Sequence, residues 1–393
     1  MFVKSRLLTP GPTAIAESTR LAMAAAQPHH RSAGFSATFQ RASELLRWFW
    51  DTPDDVLFVS GSGTAGMESA MRTCLRAGDS VVVITGGKFA ERWLKIAEIL
   101  RCTVHVFDVP WGESASASGV QAFLSEIEKV DAVIMVASET STGAWHPVDE
   151  IAEVMRAIFP EAMLMVDGIT AVGTADLSMR RHTIDVLVSG TQKAFGLPPG
   201  GAMVGLSQRA WLYASRAGGD AFYLDLRKER KQTETGQSAF TPASGLIIGI
   251  EEVFSRWQEA GRERVIEHAQ TLAAATRAGV AALGLALYPK HTPSHALTAI
   301  ALPEGVSSKT LISWMRTRCG LTVAAGQDHL KDSVLRIGTL GAVDPMDVII
   351  GISALEMALH SAGVKVQLGA GVAAAQAVLL PALQAAEPIP YSP

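Results

Sequence analysis

Cysteine is scarce in this chain of 393 residues, which contains only Cys74, Cys102 and Cys319. Their odd number and wide separation argue against a disulfide framework or a cysteine metal site, and they favour a reducing compartment. An apolar run of about 18 residues, the length that a membrane helix needs, is also lacking. The short apolar stretch at the amino terminus is interrupted by Pro10, unlike a secretory signal. We therefore expect a cytoplasmic protein without a membrane partner.

An excess of charge of one sign is also lacking. The chain has 34 basic and 38 acidic residues, well mixed along its length, for a formal net charge of -4. Such a balance offers no electrostatic footprint for nucleic acid, so we expect small-molecule chemistry. With 48% hydrophobic and 18% charged residues, the chain can bury a large core and divide into a larger and a smaller domain.

Short β-rich runs recur along the first half of the chain, and most of them are followed by a helical pattern. Several runs are apolar throughout, which predicts a mostly parallel sheet covered by helices on both faces. In such a sheet, ligands bind at the carboxyl ends of the strands. The six predicted strands cover residues 56–60, 81–85, 103–107, 132–136, 163–166 and 186–188.

A second α/β region is predicted after a polar stretch at 225–245 and a helical periodicity at 246–278. The alanine-rich tail from 369 to 393 predicts one more amphipathic helix and then a frayed end. In this region we predict strands at 297–302, 321–324 and 334–337, and helices at 307–318 and 344–362. The predicted division is an amino-terminal segment (1–16), a large domain (17–255) and a small domain (256–393).

Two of the predicted strands deliver an amine and a carboxylate to one edge of the sheet. One strand leads into Ser189-Gly-Thr-Gln-Lys193, and the other ends in Asp167. A pyridoxal phosphate enzyme needs this pair, because the lysine binds the cofactor aldehyde and the aspartate keeps the pyridine nitrogen protonated. The alternatives are an ordinary surface lysine and a helix-capping aspartate.

The glycine-rich run Ser60-Gly-Ser-Gly-Thr64 follows a strand and begins a helix. Its backbone amides and the hydroxyls of Ser62 and Thr64 could bind a phosphate at the positive end of that helix. The run lacks the lysine of a nucleotide P-loop and the spacing of a dinucleotide fingerprint. We therefore expect a phosphate without a nucleotide, with a purely structural turn as the alternative.

Three more side chains are candidates at this edge. Within Glu139-Thr-Ser-Thr-Gly143, Ser141 is our choice for a hydroxyl that bonds the cofactor's phenolic oxygen, and helix capping is the alternative. Phe89 would stack on the cofactor ring, or else belong to the core. Arg336 lies on a predicted strand between apolar neighbours, and a buried arginine needs an anion. That anion is a substrate carboxylate or a structural salt-bridge partner.

Taken together, these segments resemble fold-type I pyridoxal phosphate enzymes of the class V aminotransferase family, most of all the alanine–glyoxylate and serine–pyruvate aminotransferases. The resemblance covers roughly residues 7 to 362. It rests on eight segments in the family's order: Leu8-Thr-Pro-Gly-Pro12, His30-Arg-Ser32 with Phe35, Ser60-Gly-Ser-Gly-Thr64, Glu139-Thr-Ser-Thr-Gly143, Val166-Asp-Gly168, Ser189-Gly-Thr-Gln-Lys193, Pro198-Pro-Gly200 and Arg336-Ile-Gly338.

The resemblance implies an α/β fold with a mostly parallel seven-stranded sheet and a smaller carboxy-terminal domain. It implies transfer of an amino group from alanine or serine to glyoxylate or pyruvate by a ping-pong mechanism. Relatives are typically homodimers whose partner subunit completes the phosphate site, and the matching segment here is 237–241. The resemblance assigns Lys193 and Asp167 to catalysis, Gly11 and Arg336 to the substrate, and, besides Lys193 and Asp167, the cofactor contacts Ser62, Gly63, Thr64, Phe89, Ser141, Ile169, Gln192, Gln237 and Thr241, with no metal.

Other reactions occur on the same fold. Aminoethylphosphonate–pyruvate aminotransferases share the Leu-Thr-Pro-Gly-Pro opening, and cysteine desulfurases and lyases are further alternatives. A desulfurase needs a mobile catalytic cysteine, whereas Cys319 lies between a predicted helix and a predicted strand and is expected to be structural. A non-catalytic cofactor-binding protein is the remaining alternative, and the presence of Lys193, Asp167 and Arg336 argues against it. Phe89 stands where close relatives often have tryptophan.

Overall fold

The computed structural model describes residues 3–217 and 221–385 of the chain. Within these residues the strands and helices are numbered in chain order. The strands are β1 (Arg6–Leu7), β2 (Asp55–Ser60), β3 (Ser80–Ile84), β4 (Thr103–Phe107), β5 (Ala132–Val136), β6 (Ser138–Glu139), β7 (Ala144–Trp145), β8 (Met163–Asp167), β9 (Val186–Gly190), β10 (Gly201–Leu206), β11 (Ala286–Leu287), β12 (Leu297–Ala301), β13 (Leu321–Thr322), β14 (Ala324–Ala325) and β15 (Val334–Gly338). The helices are α1 (Glu17–Ala24), α2 (Ala33–Trp50), α3 (Gly63–Cys74), α4 (Ala90–Ile99), α5 (Ala117–Ser125), α6 (Val148–Ile158), α7 (Gln208–Arg216), α8 (Leu226–Thr233), α9 (Ser244–Ala260), α10 (Arg262–Ala282), α11 (Ser308–Cys319), α12 (Pro345–Ser361) and α13 (Ala370–Ala385).

A seven-stranded sheet with the order β2-β10-β9-β8-β5-β3-β4 forms the centre of the larger part of the molecule. All neighbouring pairs are parallel except the two that involve β10, which runs antiparallel to β2 and β9. The predicted α/β class and the mostly parallel sheet are thus confirmed. Strands β3, β5, β8 and β9 are buried along their whole length, as their continuous apolar character requires.

Strand β10 is absent from the sequence-based prediction. It begins with Gly201, directly after the turn-forming Pro198-Pro-Gly200 segment. Because β9 and β10 are antiparallel neighbours, residues 191–200 join them without a crossover helix. This loop carries Lys193, and both of its ends are held by the sheet.

Two clusters of buried side chains cover the two faces of the large sheet. One cluster includes Phe35 and Trp50 of α2, and the other includes Met67 of α3 and Trp93 of α4. Trp50 and Trp93 are both completely shielded from solvent. Helices therefore pack on both faces, and the carboxyl edge of the sheet is left for polar residues.

The smaller part contains an antiparallel sheet with the order β11-β12-β15-β14. The predicted single strand at 321–324 is wrong, because its residues belong to two sheets. Leu321–Thr322 pairs in parallel with β1 of the amino-terminal segment, whereas Ala324–Ala325 pairs with β15. The change of partner brings the amino-terminal segment against the small sheet.

The predicted helical stretch at 246–278 consists of two helices. Helices α9 and α10 meet at Gly261, whose φ of 90° is a conformation that favours glycine. The break lies close to the predicted domain boundary at residues 255 and 256. The predicted tail helix corresponds to α13, and the frayed end expected at 386–393 lies outside the described residues. Among the described helices, none is long and apolar enough to cross a membrane.

Candidate active site

The predicted amine and carboxylate leave the sheet on adjacent strands. Asp167 is the last residue of β8, and Lys193 lies three residues beyond the end of β9. These strands are parallel neighbours, with Asp167 in register with Val188. Both side chains line one cavity of about 120 Å³ at the carboxyl edge of the sheet.

Eight of the predicted site residues line this cavity. The ends of β8 and β9, the first turn of α3 and the residue before α4 contribute them. The eight are Ser62, Gly63, Thr64, Phe89, Asp167, Ile169, Gln192 and Lys193. The cavity is also lined by Met67, Arg92, Val136, Ser138, Thr140 and Thr170, which the sequence analysis did not select.

The Lys193 amine lies against the amino-terminal segment. Its Nζ donates a hydrogen bond to the carbonyl oxygen of Pro10 at 2.6 Å. Burial, assisted by the positive charge of Arg336, lowers the pKa of this amine to about 8. A Cβ on Gly11 would lie 2.6 Å from Nζ, so only glycine permits this close approach. Gly11 therefore lies directly beside the Lys193 amine, and its predicted contact with the substrate stays a prediction.

Asp167 is buried and has two hydrogen-bond donors. Its Oδ2 accepts from the indole nitrogen of Trp93 at 3.1 Å, and its Oδ1 accepts from the backbone nitrogen of Ile169 at 2.9 Å. Burial raises the pKa of the Asp167 carboxyl, whereas the two hydrogen bonds and the nearby Lys193 act in the opposite direction. A positively charged group bound in the cavity beside Asp167 would further favour the ionised form of this carboxyl.

The beginning of α3 presents polar groups to the cavity. Ser62 is the N-cap residue of α3, and its hydroxyl makes no capping hydrogen bond. Thr64 Oγ1 accepts from Arg92 Nη1 at 3.1 Å. Among the described residues, the buried side-chain oxygen of Gln192 has no hydrogen-bond partner. A helix N-terminus attracts anions, and the Ser62 hydroxyl and the amide NH2 of Gln192 could donate to a phosphate, whereas the unpaired Gln192 oxygen can only accept.

Phe89 and two residues of α4 form one side of the cavity. The guanidinium carbon of Arg92 lies 4.7 Å from the centre of the Phe89 ring. Trp93 follows on the same helix and reaches Asp167. Arg92 and Trp93 were not predicted from the sequence, although they lie three and four residues after Phe89, on the same side of a helix, and this spacing could have indicated them.

The structure does not bring Ser141 into the cavity. Its hydroxyl donates to Glu139 Oε1 at 2.6 Å and accepts from the backbone nitrogen of Lys88 at 3.1 Å. The physical reason is that the buried Glu139 carboxylate uses the nearest donors, which include this hydroxyl. Thr140 lines the cavity instead.

Arg336 is buried in β15, next to the cavity rather than on its wall. Its Nε donates to the carbonyl oxygen of Ala325 at 2.7 Å, and its Nη1 donates to that of Thr140 at 2.6 Å. Burial lowers the pKa of the guanidinium to about 10. The two carbonyl contacts orient the guanidinium and connect it to the cavity through Thr140.

The last two predicted residues lie outside this cavity. Gln237 accepts a hydrogen bond from Arg31, and Thr241 is exposed. Within one subunit they therefore do not meet Lys193. Their expected contact with the cavity of a partner subunit stays a prediction.

The sheet topology and the lysine–aspartate pair at its carboxyl edge are the features expected of a fold-type I pyridoxal phosphate enzyme, a class that includes aminotransferases, desulfurases and lyases. Comparison with known proteins names the family. A model of the family "Aminotransferase class-V" matches residues 14–343, and the chain belongs to this family. The resemblance stated from the sequence motifs is thus confirmed.

Three similar proteins illustrate the relationship. The small subunit of the soluble hydrogenase of Synechococcus sp. is 36% identical over 96% of this chain and 98% of its own length. The serine–glyoxylate aminotransferase of Methylorubrum extorquens is 31% identical, with 96% of each chain covered. The crystal structure of an alanine–glyoxylate aminotransferase from Nostoc sp. has a TM-score of 0.86 and 27% identity, covering 91% of this chain and 96% of the other. The hydrogenase name describes the Synechococcus protein and is not extended to this chain.

Proposed function

We propose that the enzyme transfers an amino group from serine or alanine to glyoxylate or pyruvate in two half-reactions of a ping-pong cycle. The observation that carries the proposal is the Lys193 amine, which shares one cavity with Asp167 and has a pKa lowered to about 8. The similarity to a serine–glyoxylate aminotransferase supports these substrates. Aminophosphonate substrates remain the alternative on this fold.

The residues of the cavity fit pyridoxal phosphate. Ser62, Gly63, Thr64 and Gln192 would hold the phosphate, because the Ser62 hydroxyl makes no capping hydrogen bond and the residues lie at the N-terminus of α3 or on the cavity wall. Asp167 would pair with the ring nitrogen, and Phe89 would contact a face of the ring. When bound, this cofactor supplies an electron-accepting ring that weakens the Cα–H bond of the amino acid.

Lys193 acts as the acid and base of each half-reaction. Its lowered pKa leaves about a tenth of the free amine neutral at pH 7, far more than at the ordinary pKa of 10.5, so that Nζ can accept the Cα proton of the substrate. The contact with the Pro10 carbonyl holds Nζ at the cavity when no cofactor is bound. The two donors to Asp167 oppose the rise in its pKa that burial causes, and a protonated ring nitrogen beside the carboxyl would favour the ionised form further.

Arg336 binds the α-carboxylate of the substrate. The carbonyl oxygens of Ala325 and Thr140 take its Nε and Nη1, which holds the plane of the guanidinium before substrate arrives. Preorganised donors of this kind bind a carboxylate without further ordering of the side chain. A single arginine suits a small amino acid with one carboxylate.

We also propose that the active enzyme is a homodimer in which residues 237–241 reach the phosphate site of the partner subunit. The exposure of Thr241 and the location of Gln237 outside its own cavity are compatible with this role. Mixing a Lys193→Ala subunit with a Gln237→Ala, Thr241→Ala subunit tests it. One intact site per mixed dimer, and hence recovered activity, supports the proposal, whereas no recovery refutes it.

The cysteine desulfurase alternative receives no support from the thiols. Burial raises the pKa of Cys74 to about 12 and that of Cys102 to about 11, and it also raises the pKa of Cys319. A catalytic cysteine requires a lowered thiol pKa and an accessible, mobile position. Cys319 is the last residue of α11, where Gly320 ends the helix in a left-handed conformation.

The experiment that tests the function is a spectroscopic titration of the purified protein with bound pyridoxal phosphate. L-serine and then L-alanine are added, followed by glyoxylate or pyruvate. Loss of the visible band with the amino acid and its return with the keto acid establish transamination and rank the donors. A band that neither amino acid changes refutes the proposed substrates. Lys193→Ala serves as the inactive control, and Lys129→Ala, an exposed lysine, as the matched active one.

A further inference from the structure

Glu139 is a completely buried carboxylate to which the proposed mechanism gives no role. Its Oε2 accepts from the backbone nitrogens of Phe89 at 3.0 Å and Ala90 at 3.2 Å. Its Oε1 accepts from the backbone nitrogen of Ser141 at 3.0 Å and from the Ser141 hydroxyl at 2.6 Å. Burying a charged group is unfavourable unless it is fully bonded, and these four donors meet that requirement.

The first pair of donors lies at the beginning of α4. A carboxylate at this position bonds amides that the helix itself leaves unpaired, and it interacts favourably with the positive end of the helix. Phe89, Arg92 and Trp93 all depend on where α4 begins. They reach the cavity wall, Thr64 and Asp167, respectively.

The second pair of donors belongs to the hairpin formed by β6 and β7. This hairpin also contacts the smaller part of the molecule, where Ser138 Oγ lies 2.6 Å from Ser294 Oγ. The backbone nitrogen of Ser294 donates to the carbonyl oxygen of Gly143 at 2.8 Å. Thr140, between these contacts, accepts from Arg336. One hairpin is therefore bonded to the cofactor side and to the substrate arginine.

The space around Glu139 is closely filled. A Cβ on Gly87 would lie 2.4 Å from Glu139 Cγ and 2.5 Å from both Glu139 Cδ and Ser141 Oγ. Glycine at this position lets the segment before α4 approach the carboxylate closely enough for its amides to bond. The arrangement thus depends on both Glu139 and Gly87.

We propose that Glu139 is a positioning residue that holds the beginning of α4 and the hairpin of Thr140 in register, so that Phe89 and Trp93 face the cofactor while Arg336 faces the substrate. The catalytic part of this inference rests on the proposed aminotransferase function. The structural part does not, because it concerns bonds within the chain. The two parts call for separate measurements.

The structural part is tested by hydrogen exchange on the apoprotein with Glu139→Gln. The glutamine side chain has the same shape as glutamate but replaces one accepting oxygen by an NH2 group. This NH2 group then faces backbone N–H donors instead of accepting from them. We expect the amides of Phe89 and Ala90 to exchange about tenfold faster or more. Glu98→Gln, the same substitution at an exposed position of α4, is the matched control and should leave them protected. Unchanged exchange in Glu139→Gln overturns the inference.

Two further variants keep the test decisive. Gly87→Ala retains the charge of Glu139, but its added Cβ overlaps the Glu139 side chain and pushes the carboxylate away. It should therefore accelerate exchange at the amides of Phe89 and Ala90. If Glu139→Gln fails to fold, Ser141→Ala provides the test, because it removes the acceptor of the Lys88 amide and one donor to Glu139. Faster exchange at Phe89 and Ala90, whose amides Glu139 rather than Ser141 accepts, supports the inference, and wild-type exchange at both overturns it.

The catalytic part is tested on the holoenzyme. In Glu139→Gln the KM for L-serine should rise about fivefold or more, because the hairpin that holds Arg336 moves, and the visible circular dichroism of the bound cofactor should change. A general loss of stability would reduce the amount of active enzyme and leave KM and the spectrum of the folded fraction unchanged, which would overturn the positioning role. If the wild-type enzyme itself fails to transaminate, the proposed function fails while the exchange result stands.

Discussion

Replacement of Gly11 by alanine tests whether the amino-terminal segment positions the catalytic amine. The added Cβ would lie 2.6 Å from Lys193 Nζ and 2.7 Å from its Cδ. Since ordinary contacts begin near 3.5 Å, the lysine or the segment must move by about 1 Å. Such a movement disrupts the 2.6 Å hydrogen bond from Nζ to Pro10. We expect the rate constant of the first half-reaction to fall about 100-fold, as a displacement of this size can produce.

The substitution also strains the backbone, because Gly11 has a φ of 120°. Left-handed conformations destabilise a non-glycine residue by about 1 to 2 kcal/mol. Gly284→Ala is the matched control, since Gly284 has a φ of 74° but no atom within 4 Å of an added Cβ. Gly284→Ala should lose free energy of unfolding through backbone strain alone, Gly11→Ala should lose at least as much because of its additional overlap, and only Gly11→Ala should lose rate.

The assay is stopped-flow absorbance of the holoenzyme mixed with saturating L-serine, together with urea unfolding of each variant. A Gly11→Ala enzyme with the wild-type half-reaction rate would refute the reasoning, because the close contact with Lys193 would then have no catalytic consequence. A Gly284→Ala enzyme that loses rate to the same extent would also refute it, because strain alone would explain the effect.

Three further predictions follow from the described contacts. Burial lowers the pKa of Lys193 from 10.5 to about 8. The rate of covalent attachment of pyridoxal phosphate to the apoenzyme should therefore rise about tenfold per pH unit below pH 8 and level off above it. A rate that keeps rising to pH 10, measured by stopped-flow absorbance, would contradict this. The same shift means that the unfolded chain binds more protons between pH 8 and 10.5, so this group adds stability as pH rises through that window. Arg336→Lys should raise the KM for L-serine about tenfold or more, with a smaller change in kcat. The reason is that an ammonium group cannot keep both carbonyl contacts and still bind a carboxylate with two hydrogen bonds. An unchanged KM in steady-state kinetics would rule out the carboxylate role. Glu356→Gln should lower the free energy of unfolding by about 1.5 to 3 kcal/mol, because the buried carboxylate accepts from the backbone nitrogens of Gly369, Gly371 and Val372 at the start of α13. Urea unfolding measures the change, with the exposed Glu128→Gln as the control. Equal stability of the two variants would show that this contact is energetically neutral.

The central sheet was largely predictable because four of its strands, β3, β5, β8 and β9, are buried along their whole length and have nearly continuous apolar sequences. The known geometry of parallel sheets then placed Asp167 and Lys193 at one edge. Strand β10 was not predictable in the same way, because its glycine-rich sequence directly follows a Pro-Pro-Gly turn. Residues 321–325 show a different limit, since the choice of two partner strands depends on tertiary pairing that a local pattern does not contain.

Residues that directly follow a strand could be assigned to the candidate site from the sequence. The assignment was less reliable where the direction of a side chain decides whether the residue reaches the cavity. Ser62 and Thr64 follow β2 directly, and they lie at the cavity as expected. Ser141 also follows a strand, but the carboxylate of Glu139 takes its hydroxyl away from the cavity. Helical spacing from Phe89 indicates which side of α4 carries Trp93, but its hydrogen bond to Asp167 depends on how α4 packs against the sheet, which a local pattern does not contain.

The antiparallel strand β10 has a consequence for the movement of the catalytic amine. Residues 191–200 form a loop whose two ends are hydrogen-bonded neighbours in the sheet, and the hydroxyl of Thr191 closes it further by donating to the Pro198 carbonyl at 2.7 Å and accepting from the Gly201 nitrogen at 3.2 Å. The hydroxyl of Thr13 additionally binds the carbonyl oxygen of Lys193 at 2.9 Å. The main chain around Lys193 is thus anchored, so any movement of the amine within the cavity requires rotation about the side-chain bonds.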